Sequence, residues 1–408
     1  MVYQPAAGAR DLLPLDVAQK RWIEDRLEQV FHRWGYHRII TSTLERMDTL
    51  MAGEAIQRQM VIQLQNGQNE ELGLRPELTA SIARTVVTRM ADATYPQRLY
   101  YNANVFRRNW EGRHNRQQEY YQAGVELLGA GGLLANAEVL LLVADCLAAL
   151  GLQGWRLILG EAGITRSLLN AFPPDIRNQV RTAIAHLDYI TLDTLPLSEE
   201  LRQRAKIMLD LRGDSQEVLQ KVSSLHLEPD QDEAINNLKS LVELLDGKFP
   251  LILDLSLIQT IDYYTGLVFE VVSETNSQAQ ILGSGGRYDQ LLGLYHPQKE
   301  NIPGIGFELN IDGLYEILLL NQQLPQDIPA SNWLVVPETP GAEAAAFAYA
   351  EKLRHSPNLV RVEIDLGGRD IDAIRQYASD RSITQIAWIK SDGTHTIEAG
   401  CEKGVVEV

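Results

Sequence analysis

Two adjacent tyrosines, Tyr263 and Tyr264, follow Asp262, and the run Gly283-Ser284-Gly285-Gly286-Arg287 comes soon after. Paired tyrosines offer aromatic walls with polar tips. Glycines at strand ends let a ligand or a second backbone come close. Asp262 and Arg287 add opposite charges beside them. Set at the ends of apolar strands, these residues would line a pocket for a small polar molecule. They would equally make a hairpin pair with a glycine-rich turn and core tyrosines, and on their own they divide evenly between the two readings. The glycine run is not GxGxxG, and the chain contains neither GxxxxGKS nor GxxxxGKT, so a dinucleotide fold and a phosphate-binding loop are both unsupported.

Strands are needed to hold that set. Leu251–Ile258 is a nearly continuous apolar run, as expected of a strand buried on both faces. Leu267–Val272 is the second strand, and the polar segment Ser273–Ala279 leads into a third around Gln280–Gly283. Gly283–Gly286 reads as a turn, after which Arg287, Tyr288 and Asp289 open a helix. Near the start, Asp16 suits the N-cap of a helix reaching Trp34. Its Ile23, Leu27, Val30, Phe31 and Trp34 share one face, and Gly35 suits its end. A strand Tyr36–Leu44 follows, and residues 45–73 read as helical and then hairpin-like around Asn66-Gly67. Leu74–Thr79 enters a helix that continues to Met90. Strand Arg98–Arg107, a charged loop Arg108–Gln118 and a returning strand Glu119–Leu128 come next. On the returning strand Gln122 and Glu126 fall on the same face. Helix Asn136–Gly151 and strand Trp155–Gly160 precede several helices over residues 165–245, broken by Pro173-Pro174, Pro196 and Pro229. Beyond a polar linker, Gln322–Ser331, strands and helices alternate, which predicts a small, mainly parallel sheet.

The totals narrow the class. A chain of 408 residues exceeds one core, so two or three domains are expected. Its 45% hydrophobic and 22% charged residues are those of an ordinary globular protein. Cys146 and Cys401 lie far apart without CxxC spacing, which argues against a disulfide framework or a cysteine zinc site and favours a reducing compartment. The N-terminus shows no basic stretch followed by an apolar core, so no secretory signal is read. The apolar helix near Val139–Leu150 is interrupted by Asp145 and too short to span a membrane. The expected location is the cytoplasm, and no cofactor or metal site is expected. A net charge of −17 disfavours broad nonspecific nucleic-acid binding.

Ordered motifs along the chain resemble those of histidyl-tRNA synthetases. IDYYTGLVFE, residues 261–270, followed by GSGGRYD, residues 283–289, is similar to that family's histidine-specific signature, RGLDYYTGxVFE and then GGRYD. Gly8–Pro14 looks like the GxRDxLP opening, and Leu74–Thr79 is similar to LRPEGTA. The helix and strand from Asp16 to Leu44 sit where class II synthetases carry motif 1, their dimer interface, with Ser42 at the usual proline. Residues 98–129 resemble motif 2, and Pro303, Gly306 and Phe307 anchor motif 3, PxVGFAxGxER.

The resemblance implies an α+β protein with a class II aminoacyl-tRNA synthetase-like antiparallel sheet and flanking helices over residues 1–164 and 246–321. It also implies a helical insertion over 165–245 and a small anticodon-binding-like α/β domain over 331–408, with a homodimer contact through the synthetase-like domain. Glu77 and Thr79 match positions that hold the amino group of histidine, a suitable task for a carboxylate because such a hydrogen bond is charge-assisted. Arg107 matches the arginine that meets the ATP α-phosphate and the histidine carboxylate. Gln122 and Glu126 match residues that contact the amino acid, including its imidazole end, where an amide or acid acceptor suits an N–H. Tyr263 and Tyr264 belong to the same pocket. Without the family, plainer readings stand beside these. Glu77 and Thr79 would start a helix, whose first turn favours acids, and Gln122 and Glu126 would be outward-facing polar strand positions.

Three positions of the ATP machinery depart from the family. Asn109 replaces the glutamate that recognises adenine, Gln259 the arginine that helps activate histidine, and Gly313 the arginine that clamps the ATP tail. No arginine lies anywhere in Asn301–Gln323. Charged hydrogen bonds of this kind contribute about 1.5–3 kcal/mol each, so nucleotide chemistry is expected to be lost while the histidine pocket stays. That pattern is similar to the regulatory subunits of ATP phosphoribosyltransferase, synthetase paralogues without aminoacylation activity. The resemblance implies a non-catalytic subunit that pairs with a short-form catalytic subunit at the first step of histidine biosynthesis. It would be needed for activity and for feedback inhibition by histidine as effector. A divergent active synthetase and a stand-alone histidine or tRNA sensor are the other readings. Ile389–Thr396 lacks the basic run that would grip RNA, which speaks against tRNA.

Overall fold

The computed structural model describes residues 3–53, 55–65, 70–108, 117–223, 229–258, 263–275 and 278–400. The chain divides into two compact units, Met1–Leu13 with Gln19–Leu324, and Pro14–Ala18 with Pro325–Val408.

Helix α1 (Pro14–Arg33) begins with a proline, whose missing N–H costs nothing in a first turn. Its Ile23, Leu27, Val30 and Phe31 are buried along one stripe. Gly35 beyond it has φ +78°, a left-handed conformation that suits a helix end. The expected strand Tyr36–Leu44 is broken into β1 (His37–Arg38) and β2 (Leu44–Arg46). Ser42 Oγ donates to the Leu44 carbonyl at 2.6 Å, and the chain turns there into a second sheet. Helix α2 (Met47–Met51) is followed by strands β3 (Gln63–Gln65) and β4 (Glu71–Leu74), and the small sheet has the order β2-β4-β3. The expected turn residues Asn66-Gly67 lie outside the described residues.

Helix α3 (Thr79–Arg89) leads to two ten-residue antiparallel strands, β5 (Gln97–Phe106) and β6 (Glu119–Leu128). Helix α4 (Gly132–Ala149) is longer than the apolar run suggested, and by length and composition alone it could cross a membrane. In this fold its Val139, Leu140, Leu142, Val143, Cys146 and Leu147 lie inside the core. Strand β7 (Trp155–Glu161) follows. The helical block then comprises α5 (Ala162–Leu169), α6 (Pro174–Ala185), α7 (Tyr189–Thr194) and α8 (Glu199–Asp210). A two-residue strand β8 (Arg212–Gly213), α9 (Ser215–Ser223) and α10 (Pro229–Leu245) complete it. Leu168, Phe172, Val180 and Leu209 of this block join the same apolar core as the main sheet.

Strand β9 stops at Asp254 (Leu251–Asp254) rather than Ile258, because the Asp254 carboxylate takes the Ser256 N–H at 2.9 Å and bends the chain. Strands β10 (Leu267–Thr275) and β11 (Gln278–Arg287), helix α11 (Leu291–Tyr295), strand β12 (Gly304–Asn310) and helix α12 (Ile311–Leu320) complete the unit. The expected glycine turn is not a turn, since β11 runs straight through Gly283–Gly286. A Cβ at Gly285 would strike the Gly306 carbonyl and the Phe269 ring, so close strand packing, not a bend, demands glycine there. Arg287 ends the strand and does not open a helix. The Tyr288 N–H bonds the Gly304 carbonyl and the Asp289 N–H bonds Thr265 Oγ1, and the chain turns at 289–290 into α11.

The main sheet has the order β1-β5-β6-β12-β11-β10-β7-β9-β8, with parallel pairs only at β1/β5 and β7/β9. One face carries Tyr100, Val125, Leu127, Ile305, Phe307 and Phe269 into a core shared with α1, α4 and α12. The other face packs Leu99, Tyr101, Val105 and Leu128 against Leu78, Ile82 and Val86 near and on α3 and against Leu291 and Leu292 of α11. The second unit holds a four-stranded sheet. Strands β13 (Trp333–Pro337), β14 (Val362–Ile364), β15 (Gln385–Ile389) and β16 (His395–Ala399) take the order β14-β13-β15-β16. Of its three pairings, β13/β14 and β13/β15 are parallel, as the alternation of elements predicts, and β15/β16 is antiparallel. Helices α13 (Glu343–Arg354) and α14 (Ile371–Asp380) cover opposite faces.

Candidate functional site

The α3-facing side of the main sheet carries polar residues in register. One row runs Leu99–Glu126–Gly306–Gly286–Val268 across β5, β6, β12, β11 and β10. The next runs Tyr101–Gly124–Glu308–Ser284–Glu270. Gln122 lies one row further, between Ala103 and Asn310. Glycines make the floor low. A Cβ at Gly306 would collide with Glu126 Oε2 and the Val125 carbonyl, and one at Gly124 with the Phe307 carbonyl and the Tyr101 hydroxyl.

Glu126 stands at the centre and is buried. Thr79 Oγ1 donates to its Oε1 at 2.7 Å, and the Tyr288 hydroxyl donates to Oε2. Burial, and after it the nearby charge of Glu77, push its pKa up to about 8 against those two hydrogen bonds. The carboxyl is therefore mostly protonated at neutral pH in the setting that the described residues make, where Glu77 is the charge acting on it. Glu77 is buried too, and its carboxylate accepts the N–H of Thr79 at 2.6 Å and of Ala80 at 3.0 Å. It thus satisfies two donors at the start of α3 that have no partner within the helix. Burial raises its pKa, and Arg107 pulls in the other direction.

Arg107, just past β5, donates from Nε to the Pro76 carbonyl at 2.9 Å and sits 5.8 Å from the Tyr120 ring centre. Tyr263 and Tyr264 lie at 4.9 Å between ring centres, and Tyr263 meets Tyr288 edge-on at 5.6 Å. Burial raises the pKa of both tyrosines, so they stay neutral hydrogen-bonding walls. Arg287 fixes the corner. Its Nε and Nη2 donate to Asn136 Oδ1 on α4, and Nη1 pairs with Asp289 at 2.8 Å.

The fold thus gathers Glu77, Thr79, Glu126, Tyr263 and Tyr264 into one cluster, with Gln122 on the same strand face and Arg107 acting on it from the rim. Sequence reasoning missed Tyr288, which stood in GGRYD but was assigned to a helix start. It also missed Glu308, where the motif quoted above has alanine after phenylalanine. Of the departed ATP positions, Gly313 is buried at the start of α12, and its N–H bonds Asn310 Oδ1 at 3.2 Å. A Cβ there would lie 3.2 Å from Gln280 Nε2, so a side chain would need that flexible amide to shift by a few tenths of an ångström. Asn109 and Gln259 lie outside the described residues.

Residues 8–314 match the family model of histidyl-tRNA synthetase. An ATP phosphoribosyltransferase regulatory subunit of Nostoc punctiforme is 80% identical over 401 residues, covering 98% of this chain and all of that one. The one from Gloeothece citriformis is 60% identical, covering 98% and 99%. Among solved structures, an ATP phosphoribosyltransferase regulatory subunit/histidyl-tRNA synthetase from Bacillus halodurans is 29% identical. It superposes with a TM-score of 0.77 over 92% of this chain and 97% of its own. Built on a histidyl-tRNA synthetase-like class II fold, the chain belongs to the family of ATP phosphoribosyltransferase regulatory subunits, the non-catalytic part of that enzyme.

Proposed function

We propose that this chain is the histidine sensor of ATP phosphoribosyltransferase. It binds histidine over β6, β12 and β11 and passes its occupancy to a short-form catalytic subunit in the cytoplasm, whose activity at the first step of histidine biosynthesis depends on it. The observation that carries this reading is the Glu126 carboxyl. It is held between Thr79 and Tyr288 in a buried, tyrosine-walled cluster. An acid so placed can accept an imidazole N–H, and a cationic ligand would draw its proton off. Gly313, which has no side chain where the family has the clamping arginine, supports loss of the ATP clamp. Histidine inhibits only if it binds the inhibited assembly more tightly than the active one.

A homodimer contact through the synthetase-like domain belongs to the same proposal. Its support is the exposed Ile40 beside a cleft lined by Thr41, Thr43 and Arg75, where the buried Thr41 hydroxyl has no hydrogen-bond partner among the described residues.

The test combines the purified chain with the short-form catalytic subunit of the same genome and follows phosphoribosyl-ATP formation from ATP and phosphoribosyl pyrophosphate. Activation by the chain and suppression by histidine are expected. Activation without suppression would remove the sensor from the reading. Histidine-dependent ATP–pyrophosphate exchange by the chain alone would replace it with an active synthetase.

A further inference from the structure

Three carboxylates belong to this cluster, and the hydrogen bonds around them separate their roles. Glu77 has both oxygens on the N–H groups of Thr79 and Ala80. Glu126 has one oxygen on Thr79 and the other on Tyr288. Glu308 has Oε1 facing the Ser284 hydroxyl at 3.2 Å, while its Oε2 is shielded from solvent and has no hydrogen-bond partner among the described residues. A buried carboxylate oxygen without a donor is costly, so such a group suits a ligand that donates to it. Burial raises its pKa, and Arg107 is the cation that acts against this.

The register fixes what that partner can touch. Glu308 lies on β12 directly opposite Gly124, over which the Tyr101 hydroxyl packs, and two residues from Gly306 beside Glu126. A ligand that reaches from Glu126 to the next row of the sheet, past the Tyr101 hydroxyl, therefore meets Glu308 and the charge of Arg107. Those two groups carry opposite charges, the arrangement that suits the ammonium and carboxylate of a free α-amino acid.

We infer that Glu308 is the residue that receives the ammonium group of the ligand in this pocket, and so restricts the site to ligands with a free amine. The inference rests on the proposal that histidine is the ligand, and it assigns the amine to a residue outside the set that the family resemblance supplies. Glu77 then keeps its place at the start of α3.

Calorimetric titration of the full-length chain with histidine and with 3-(imidazol-4-yl)propionate, which lacks only the amine, tests it. The readout is the ratio of the two affinities within one protein, which a reduced folded fraction does not alter. In the wild-type chain histidine binds more tightly. Glu308→Gln is expected to lower that ratio about ten- to hundredfold, as for a lost charged hydrogen bond, with propionate binding held or improved. An unchanged ratio in Glu308→Gln overturns the inference, as does a ratio that collapses in Glu77→Gln instead. A wild-type chain that binds no histidine overturns the sensor reading as well.

Discussion

Thr79 Oγ1 and Glu126 Oε1 are joined by a 2.7 Å hydrogen bond that ties the first residue of α3 to the middle of β6. The bond links the helix over the pocket to the sheet beneath it. Thr79→Val keeps the shape and removes the donor. A buried acceptor left without its donor costs about 1–3 kcal/mol. Urea denaturation should show a loss of that size, with an unchanged m-value.

Glu126→Ala removes the acceptor at the pocket centre. Feedback inhibition of the reconstituted enzyme should then require about ten- to hundredfold more histidine. The mixture with the catalytic subunit should still elute at the size of the assembly. Normal inhibition in this variant would place the ligand elsewhere.

The pH dependence of stability follows from the same carboxyl. Its folded-state pKa of about 8 lies above the ordinary 4.5, so the folded chain holds a proton that the unfolded chain releases between those values. This contribution is fully present below pH 4.5 and is lost as pH rises through 8. Glu161, raised to about 7 mainly by burial, acts in the same direction up to its own value. Stability should therefore fall with rising pH across this window, by up to about 1.4 kcal/mol per pH unit for each group. Glu126→Gln should remove one part of that slope, and thermal melts from pH 5 to 8 would show it.

Gly306→Ala places a methyl group against Glu126 Oε2 and the Val125 carbonyl. The strands cannot part without breaking the β6–β12 pairing, so the change should destabilise the chain by about 1–3 kcal/mol. It should also abolish calorimetric histidine binding. Retained binding would mean that the floor of the sheet is not the ligand's seat.

How far the sequence could be read depended on the range of the contacts. The shared face of Gln122 and Glu126 follows from the two-residue period of a strand, and the helix start at Thr79 from the acid before it. The alternation beyond Ser331 was enough to expect the mainly parallel sheet of the second unit. Glycine 285 was misread because its demand comes from β12 and Phe269, which are adjacent only after folding. Tyr288 was hidden for a similar reason, since Glu126 is 162 positions away in the chain. Glu308 gave a weak signal, an acid between apolar neighbours, and its meaning depends on Gly124 and Ser284 standing beside it.

The carboxylate of Glu77 occupies the N-terminus of α3. Any cation that pulled it away would strand the N–H groups of Thr79 and Ala80, at a cost of about 1–3 kcal/mol for each. The helix start therefore sets a threshold for any such exchange. Small cations such as ammonium or sodium gain too little from that carboxylate to displace it, so Glu77 stays with the helix.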